Sequence, residues 1–251
     1  MGYSAVLFDW GGTLVRDDTL APGAAAAAVV ACLRDEFGAA VTTEAFEAAF
    51  AEALPPYTPG ATLEAPRIDH ILERALASLG VPPAEGLLEQ CCLAFARADV
   101  GAQEVFDDAR ALLHSLRFRG FRVAVVSNTI FPANLFALRL QAAALPNYFD
   151  AVICSADIGF GKPHPAIYQA ALDALGVAAG EALFVGDRED TDVAGAKALG
   201  IAAVRIDRRR DESDLEAGVI AHLSAVNLLL GEGIRPSEAR DHASDTIDNK
   251  A

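Results

Sequence analysis

The sequence predicts a doubly wound parallel α/β sheet with an inserted all-α unit, and three observations carry that prediction. Short β-rich runs alternate with helical patterns along the second half of the chain. Each run is apolar on both faces and stops at Gly or a polar residue, the pattern of strands in a sheet covered on both sides. Between the first run and the second lies a stretch much too long for a single crossover, Ala-rich and helical in pattern.

Strands are expected at residues 5–8, 122–126, 151–154, 182–185 and 202–206. Helices are expected at residues 134–144, 165–175 and 192–199, with a last one at 215–230. Residues 20–98 read as roughly four helices, a bundle-sized unit, punctuated by Pro55-Pro56-Tyr57, Pro59-Gly60 and Pro82-Pro83. The core then comprises residues 1–16 and 100–231, the insertion residues 17–99, and a polar, frayed tail residues 232–251.

At about 150 residues per domain, a chain of 251 residues has room for a full core plus one insertion. With 53% hydrophobic and 22% charged residues it is too apolar to stay disordered. Twenty basic against 35 acidic residues give a net charge of −15, which argues against nucleic acid or an anionic membrane as partner. Lysine occurs only at Lys162, Lys197 and Lys250. Cys32, Cys91, Cys92 and Cys154 show no metal-ligand spacing and read as reduced, buried thiols of a cytoplasmic protein. No basic n-region precedes the first apolar run, Val6 stands where a myristoylation site needs Ser or Thr, and no apolar stretch is long enough to span a bilayer.

Chemistry-bearing residues gather at the ends of the expected strands. The first run leads into Phe8-Asp9-Trp10-Gly11-Gly12-Thr13-Leu14, a carboxylate at the strand's carboxyl end followed by a glycine turn that lets backbone amides approach an anion. An Asp that merely opens a turn gives the same local pattern. The second ends in Ser127-Asn128-Thr129, a hydroxyl and an amide that suit an anion or a helix cap. The third leads to Gly159-Phe160-Gly161-Lys162-Pro163-His164-Pro165, where a stiff loop carries one of the three lysines; a solvated lysine is the plainer reading, and His164 reads as a loop or capping residue. The fourth ends in Gly186-Asp187-Arg188-Glu189-Asp190-Thr191-Asp192, an acid density that a cation relieves. An acidic helix N-terminus accounts for Asp190 and Asp192 but not for Gly186-Asp187 at the strand tip. Arg188 reads as an anion contact or a surface ion pair, and Arg208-Arg209-Arg210 as a solvated edge.

Taken in order, these four segments resemble the haloacid dehalogenase (HAD) superfamily of aspartate-nucleophile hydrolases, over residues 4–206, and the insertion is similar to the helical cap of its subfamily I members. The resemblance implies Asp9 as the nucleophile that forms an aspartyl phosphate and Ser127 and Lys162 as the phosphoryl clamp. It implies Asp9, Asp187 and the Gly11 carbonyl as ligands of Mg²⁺, with Asp192 near the metal. Asn128, Gly12 and Trp10 are the remaining candidates for substrate contact, and the expected partner is a small phosphorylated molecule.

The sequence departs from the pattern at Gly11, where phosphatases of the family carry a second Asp as general acid and base. General acid–base catalysis contributes about 10²–10⁴ in rate. Four readings accommodate the departure. One is a phosphatase acting on good leaving groups or using a substitute acid such as Asp17 or Asp18. Another is a 2-haloacid dehalogenase, whose halide leaves unprotonated but whose fourth motif lacks this acidic, metal-binding form. A third, phosphonoacetaldehyde hydrolysis, requires a cap lysine, and none precedes Lys162. The last is a catalytically weak relative kept for binding. A Mg²⁺-dependent phosphatase is the expectation.

Overall fold

The computed structural model describes residues 2–16, 22–55, 64–100 and 104–231. Asp17, Asp18, Tyr57, Pro59, Gly60 and the expected tail lie outside them. Six parallel strands form one sheet in the order β3-β2-β1-β4-β5-β6: β1 (Ala5–Phe8), β2 (Arg122–Ser127), β3 (Ala151–Cys154), β4 (Ala182–Gly186), β5 (Ala202–Ile206) and β6 (Val219–Ile220). β1 lies between β2 and β4, paired Phe8 to Val125 on one side and Phe8 to Val185 on the other. The chain runs outward from β1 to β3, then returns to lay β4 on β1's other side, so the carboxyl ends of β1 and β4 flank the point where strand order reverses.

All four residues of β1 are buried. Val6 and Phe8 face one core together with Val123, Val125, Leu183 and Val185; Ala5 and Leu7 face another with Ala124, Val126 and Phe184. That two-residue alternation, apolar on both sides, is why the runs read as covered strands. The helices are α1 (Pro22–Phe37), α2 (Thr43–Ala53), α3 (Ile68–Ser78), α4 (Leu87–Asp99), α5 (Asp107–Phe118), α6 (Ala133–Ala142), α7 (Ser155–Ile158), α8 (Pro165–Leu175), α9 (Ala194–Ala198) and α10 (Val226–Leu230). The first four fall between β1 and β2 in sequence and pack α1 on α4 and α2 on α3, with Phe46, Phe50 and Phe95 stacked among them. Thr42 caps α2 by accepting from Ala45 N at 3.2 Å. On the sheet, α5 buries Leu112, Leu113 and Leu116 against one face and α8 buries Ile167, Tyr168 and Leu172 against the other.

The two chain segments that lead into and out of residues 17–103 lie side by side. Arg16 N donates to Glu104 O (2.8 Å), Val15 bridges Val105 antiparallel, and Phe106 N donates to Leu14 O (3.0 Å). Among the described residues no helix is long and apolar enough to cross a membrane.

Three expectations need correction. The single helix expected at 215–230 is instead a turn, strand β6, a short 3₁₀ segment and α10. Gly218 takes φ +71 and its carbonyl accepts from Arg205 N (2.9 Å), so edge pairing with β5 overrides the local helical pattern. The helix expected from Asp192 begins with a π-helical turn over Glu189–Val193 before α9. Helix α5 escaped the reading altogether, although Ala109, Leu112, Leu113 and Leu116 repeat at helical spacing. Among the cysteines, Cys91, Cys92 and Cys154 are buried and Cys32 is half-buried; all are free thiols.

Candidate active site

Asp9 leaves β1 at the reversal point and is almost wholly buried. Its two oxygens are held separately: Lys162 Nζ donates to Oδ1 at 2.5 Å and Thr13 Oγ1 to Oδ2 at 3.2 Å. Thr13 lies one turn on from Asp9, and Leu14 N and Val15 N both close that turn onto Trp10 O (2.9 and 3.1 Å). The sequence reading missed Thr13; its signal is the hydroxyl four residues after Asp9 in a glycine turn.

Lys162 is 3% exposed and bridges two carboxylates, Asp9 and Asp192, the latter at 2.7 Å. A tightly fixed loop delivers it. Gly159 ends α7 at φ +83, and His164 caps α8 through Nδ1, which accepts from Ala166 N at 3.2 Å while the ring stacks on Phe160. The Lys162–Pro163 bond is cis. Asn128 completes the fixture: its Oδ1 accepts from Lys162 N (2.6 Å) and its Nδ2 donates to Lys162 O (2.9 Å), so the amide expected to meet substrate grips the lysine's backbone. Ser127, the last residue of β2, is buried at the same sheet edge.

At the end of β4 the acidic segment divides. Asp187 and Asp192 turn inward, while Glu189 and Asp190 stay at the surface, paired with Arg205 and Arg188. The π-helical turn causes the division: Val193 N reaches back to Arg188 O (3.2 Å), and the Asp192 side chain folds onto Arg188 N through Oδ2 (3.0 Å). Only glycine fits at two adjoining positions. A Cβ on Gly186 would stand 2.4 Å from Asp192 Cβ, and one on Gly12, which takes φ +72, would stand 2.7 Å from Asp187 Oδ2. Gly11 has no positive φ and bridges Val15 through its backbone. Trp10 is fully buried with its indole edge-on to Phe136 at 5.4 Å, inside the packed core.

Asp9, Asp187 and Asp192 each place an oxygen within 4.8 Å of the others. Three carboxylates against one ammonium leave a surplus of two negative charges, and burial with the neighbouring acids drives the Asp9 carboxyl up to about 7 despite Lys162. Burial and Asp192 likewise raise Asp187. Burial alone would lower Lys162, but Asp192 and Asp9 outweigh it and hold the ammonium charged well beyond its ordinary range. Asp192 Oδ1 is buried and accepts no aligned hydrogen bond, its ion pair with Lys162 apart. An all-oxygen donor set, a two-charge surplus and an unaligned buried oxygen fit a hard divalent cation such as Mg²⁺.

Arg208 also departs from expectation. Far from a solvated edge, its guanidinium donates twice to Asp108 (2.8 and 2.7 Å) and once to Thr13 O (2.7 Å); Arg209 and Arg210 pair with Asp207 at the surface. Arg188 forms the surface pair that was one of its two readings.

The model of the haloacid dehalogenase-like hydrolases matches residues 3–200. A phosphoserine phosphatase of Thermus thermophilus is 38% identical over 113 residues, 45% of each chain, so the chain spans about half of that relative's length. A glyceraldehyde 3-phosphate phosphatase of Methanopyrus kandleri is 29% identical over 84% of this chain and 87% of its own. The crystal structure of a 2-haloacid dehalogenase from Pseudomonas syringae pv. Tomato superposes with TM-score 0.66 over 91% of this chain and 98% of its own at 24% identity, a likeness of fold. With its strand order, its four strand-end segments and the match over most of its length, the chain belongs to the haloacid dehalogenase-like hydrolases and is an enzyme of that family.

Proposed function

We propose that this enzyme is a Mg²⁺-dependent phosphatase of small phosphorylated metabolites that works through an aspartyl phosphate on Asp9. The observation that carries the reading is the convergence of Asp9, Asp187 and Asp192 around Lys162 at the reversal point of the sheet. Asp9, Asp187, Asp192 and the Gly11 carbonyl would hold the cation. Bound there, Mg²⁺ neutralises the surplus carboxylate charge and polarises a phosphoryl oxygen.

Asp9 is held by both oxygens, so its carboxylate cannot rotate away from an incoming phosphorus. An Asp9 oxygen bonds to phosphorus as the bond to the leaving oxygen breaks; water then attacks the same phosphorus and returns the Asp9 carboxylate. Lys162 and Ser127 offset the charge of the phosphoryl oxygens. Gly12, its amide held by Val15 O at 2.8 Å, leaves room for Asp187 beside the turn, and Asn128 acts by fixing the lysine. Trp10 supports the turn from the core. Helices α1 to α4, within residues 17–99, serve as a cap that selects substrate, since Ala65 N and Ile68 N donate to Gly159 O and Ile130 O on the loops beside Lys162 and Ser127.

Gly11 offers the leaving oxygen no proton, which favours acyl and aryl phosphates. A phosphate-release panel with and without Mg²⁺ tests the reading, beside halide release from 2-haloacids. Metal-dependent release, fastest from acyl or aryl phosphates, supports it; halide release without metal points to a dehalogenase, and silence in both to a binding protein. Because Gly11 is free of positive φ, Asp fits its backbone. Gly11→Asp is expected to raise turnover of alkyl phosphate esters at least about tenfold, part of the usual yield of general acid catalysis. An unchanged rate in a folded variant contradicts that assignment.

Magnesium should also stabilise the fold in a pH-dependent way. The folded Asp9 carboxyl keeps its proton up to about pH 7 whereas the unfolded one releases it near 3.8. Stability therefore falls as pH rises through that window, and the full cost persists above it. A cation that binds ionised carboxylates removes that cost. The rise in melting temperature with Mg²⁺ is expected to be larger at about pH 8 than at about pH 6; scanning fluorimetry showing an equal or smaller rise at the higher pH contradicts it.

A further inference from the structure

We infer that Arg208 is a positioning residue for the nucleophile: it fixes the Thr13 carbonyl, and through Thr13 the hydroxyl that orients Asp9. The inference rests on the reading of Asp9 as nucleophile. Arg208 stands at the end of β5, outside the four strand-end segments, yet its guanidinium lies where the turn after β1 meets the segments leading into and out of residues 17–103.

Of that guanidinium's nitrogens, Nε is buried without a hydrogen-bond partner among the described residues and the other two are engaged. Both terminal nitrogens are used, Nη1 on the two oxygens of Asp108 and Nη2 on Thr13 O. Its plane lies over Phe106, with the central carbon 3.8 Å from the ring centroid, and Arg16 covers the same ring at 4.8 Å. Asp108 is itself held, since its Oδ2 accepts from Leu223 N at 2.8 Å. The cation is thus a planar piece seated on an aromatic ring, locked by a carboxylate on α5 through Nη1 and turned to Thr13 through Nη2.

Thr13 is fully buried. Its carbonyl takes Arg208 and its hydroxyl gives a hydrogen bond to Asp9 Oδ2, so one residue carries the position of the guanidinium to the nucleophile's second oxygen. Lys162 fixes the first oxygen from the other side of the site. Lysine in place of Arg208 could keep the charge but not the fork and the stack together.

The test is a double-mutant cycle on the full-length enzyme with Mg²⁺, using acetyl phosphate and p-nitrophenyl phosphate, alongside Asp9→Asn. Arg208→Met and Thr13→Val are each expected to lower kcat about tenfold with KM changed less than about twofold, because misplacing a reacting group costs turnover more than binding. The double variant should be no worse than the poorer single by more than about twofold, since both act on one path. Arg208→Lys should recover part of the loss. A multiplicative double variant, or a change confined to KM, overturns the inference. If Asp9→Asn abolishes release while the cycle is multiplicative, this inference fails alone; if Asp9→Asn retains release, the nucleophile reading fails and takes this one with it. Hydrogen exchange supplies a reading that needs no turnover: amides of residues 10–16 should exchange at least about tenfold faster in Arg208→Met, with α8 unchanged. Unaltered exchange there also overturns the inference. Should Arg208→Met not fold, Arg208→Lys crossed with Thr13→Val carries the same cycle.

Discussion

Asp9→Asn is expected to lower phosphate release by about 10³-fold or more, the scale seen when a covalent nucleophile is removed, without loss of the fold. Asn has the size of Asp; its Oδ1 can accept from Lys162 while its Nδ2 donates to the Thr13 hydroxyl, which reverses its role, but its neutral oxygen does not displace a leaving group. The companion expectation separates chemistry from structure. Burial and the neighbouring acids make the ionised Asp9 costly, which is why its carboxyl titrates near 7. Removing that charge relieves the cost, so the metal-free variant should melt at the same temperature as the parent or higher. Release assays and thermal melts on one preparation check both. Activity above a tenth of the parent's would remove Asp9 from the reaction; a lower melting temperature would mean the carboxylate is a structural asset.

Arg139→Leu is expected to destabilise the protein by about 3–5 kcal/mol, the cost of breaking a buried ion pair by removing one partner. Arg139 on α6 donates to Asp99 at the end of α4 at 2.5 Å, with side chains 4% and 0% exposed. Burial pushes the guanidinium down to about 10, yet it stays charged at neutral pH and lies over the Phe131 ring. With the cation gone, Asp99 remains in the interior without it. For a chain of this size the melting temperature should fall by roughly 10 °C. Asp99→Leu added to Arg139→Leu should restore most of the loss, because two apolar side chains no longer strand a charge. Thermal and urea midpoints check this. A loss below about 1 kcal/mol for the single variant would show that water reaches the pair.

Much of the sheet was legible because its strands are short, apolar on both faces and closed by glycine or polar residues; β1, β3 and β5 have the bounds that pattern gives. β6 was not, since Val219-Ile220 is a two-residue edge whose pairing depends on a distant partner, β5. Helix α5 carried its spacing openly, but Asp107-Asp108 and the charges between its leucines mask it beside the Ala-rich helices before it. In the site, Asp9, Lys162 and Asp187 stand out only when the four strand-end segments are taken together and in order; singly, Asp9 reads equally as a turn residue and Lys162 as a solvated one. What sequence cannot announce is which way a side chain turns: Asp192 folds inward while Asp190 does not, although both lie in the one π-helical turn. Asn128 and Arg208 were misjudged for the same reason. Their partners lie 34 residues away at Lys162 and 100 away at Asp108, separations that no local pattern spans.

The adjoining backbone of Arg16 and Glu104 bears on how such an enzyme diversifies. A chain that departs at one point and comes back 2.8 Å away needs only a turn of about two residues to be joined directly. Excision or exchange of everything between those doorposts therefore asks nothing of the sheet or its connectivity. What a replacement has to reproduce is chemical complementarity, above all an acid able to meet Arg139.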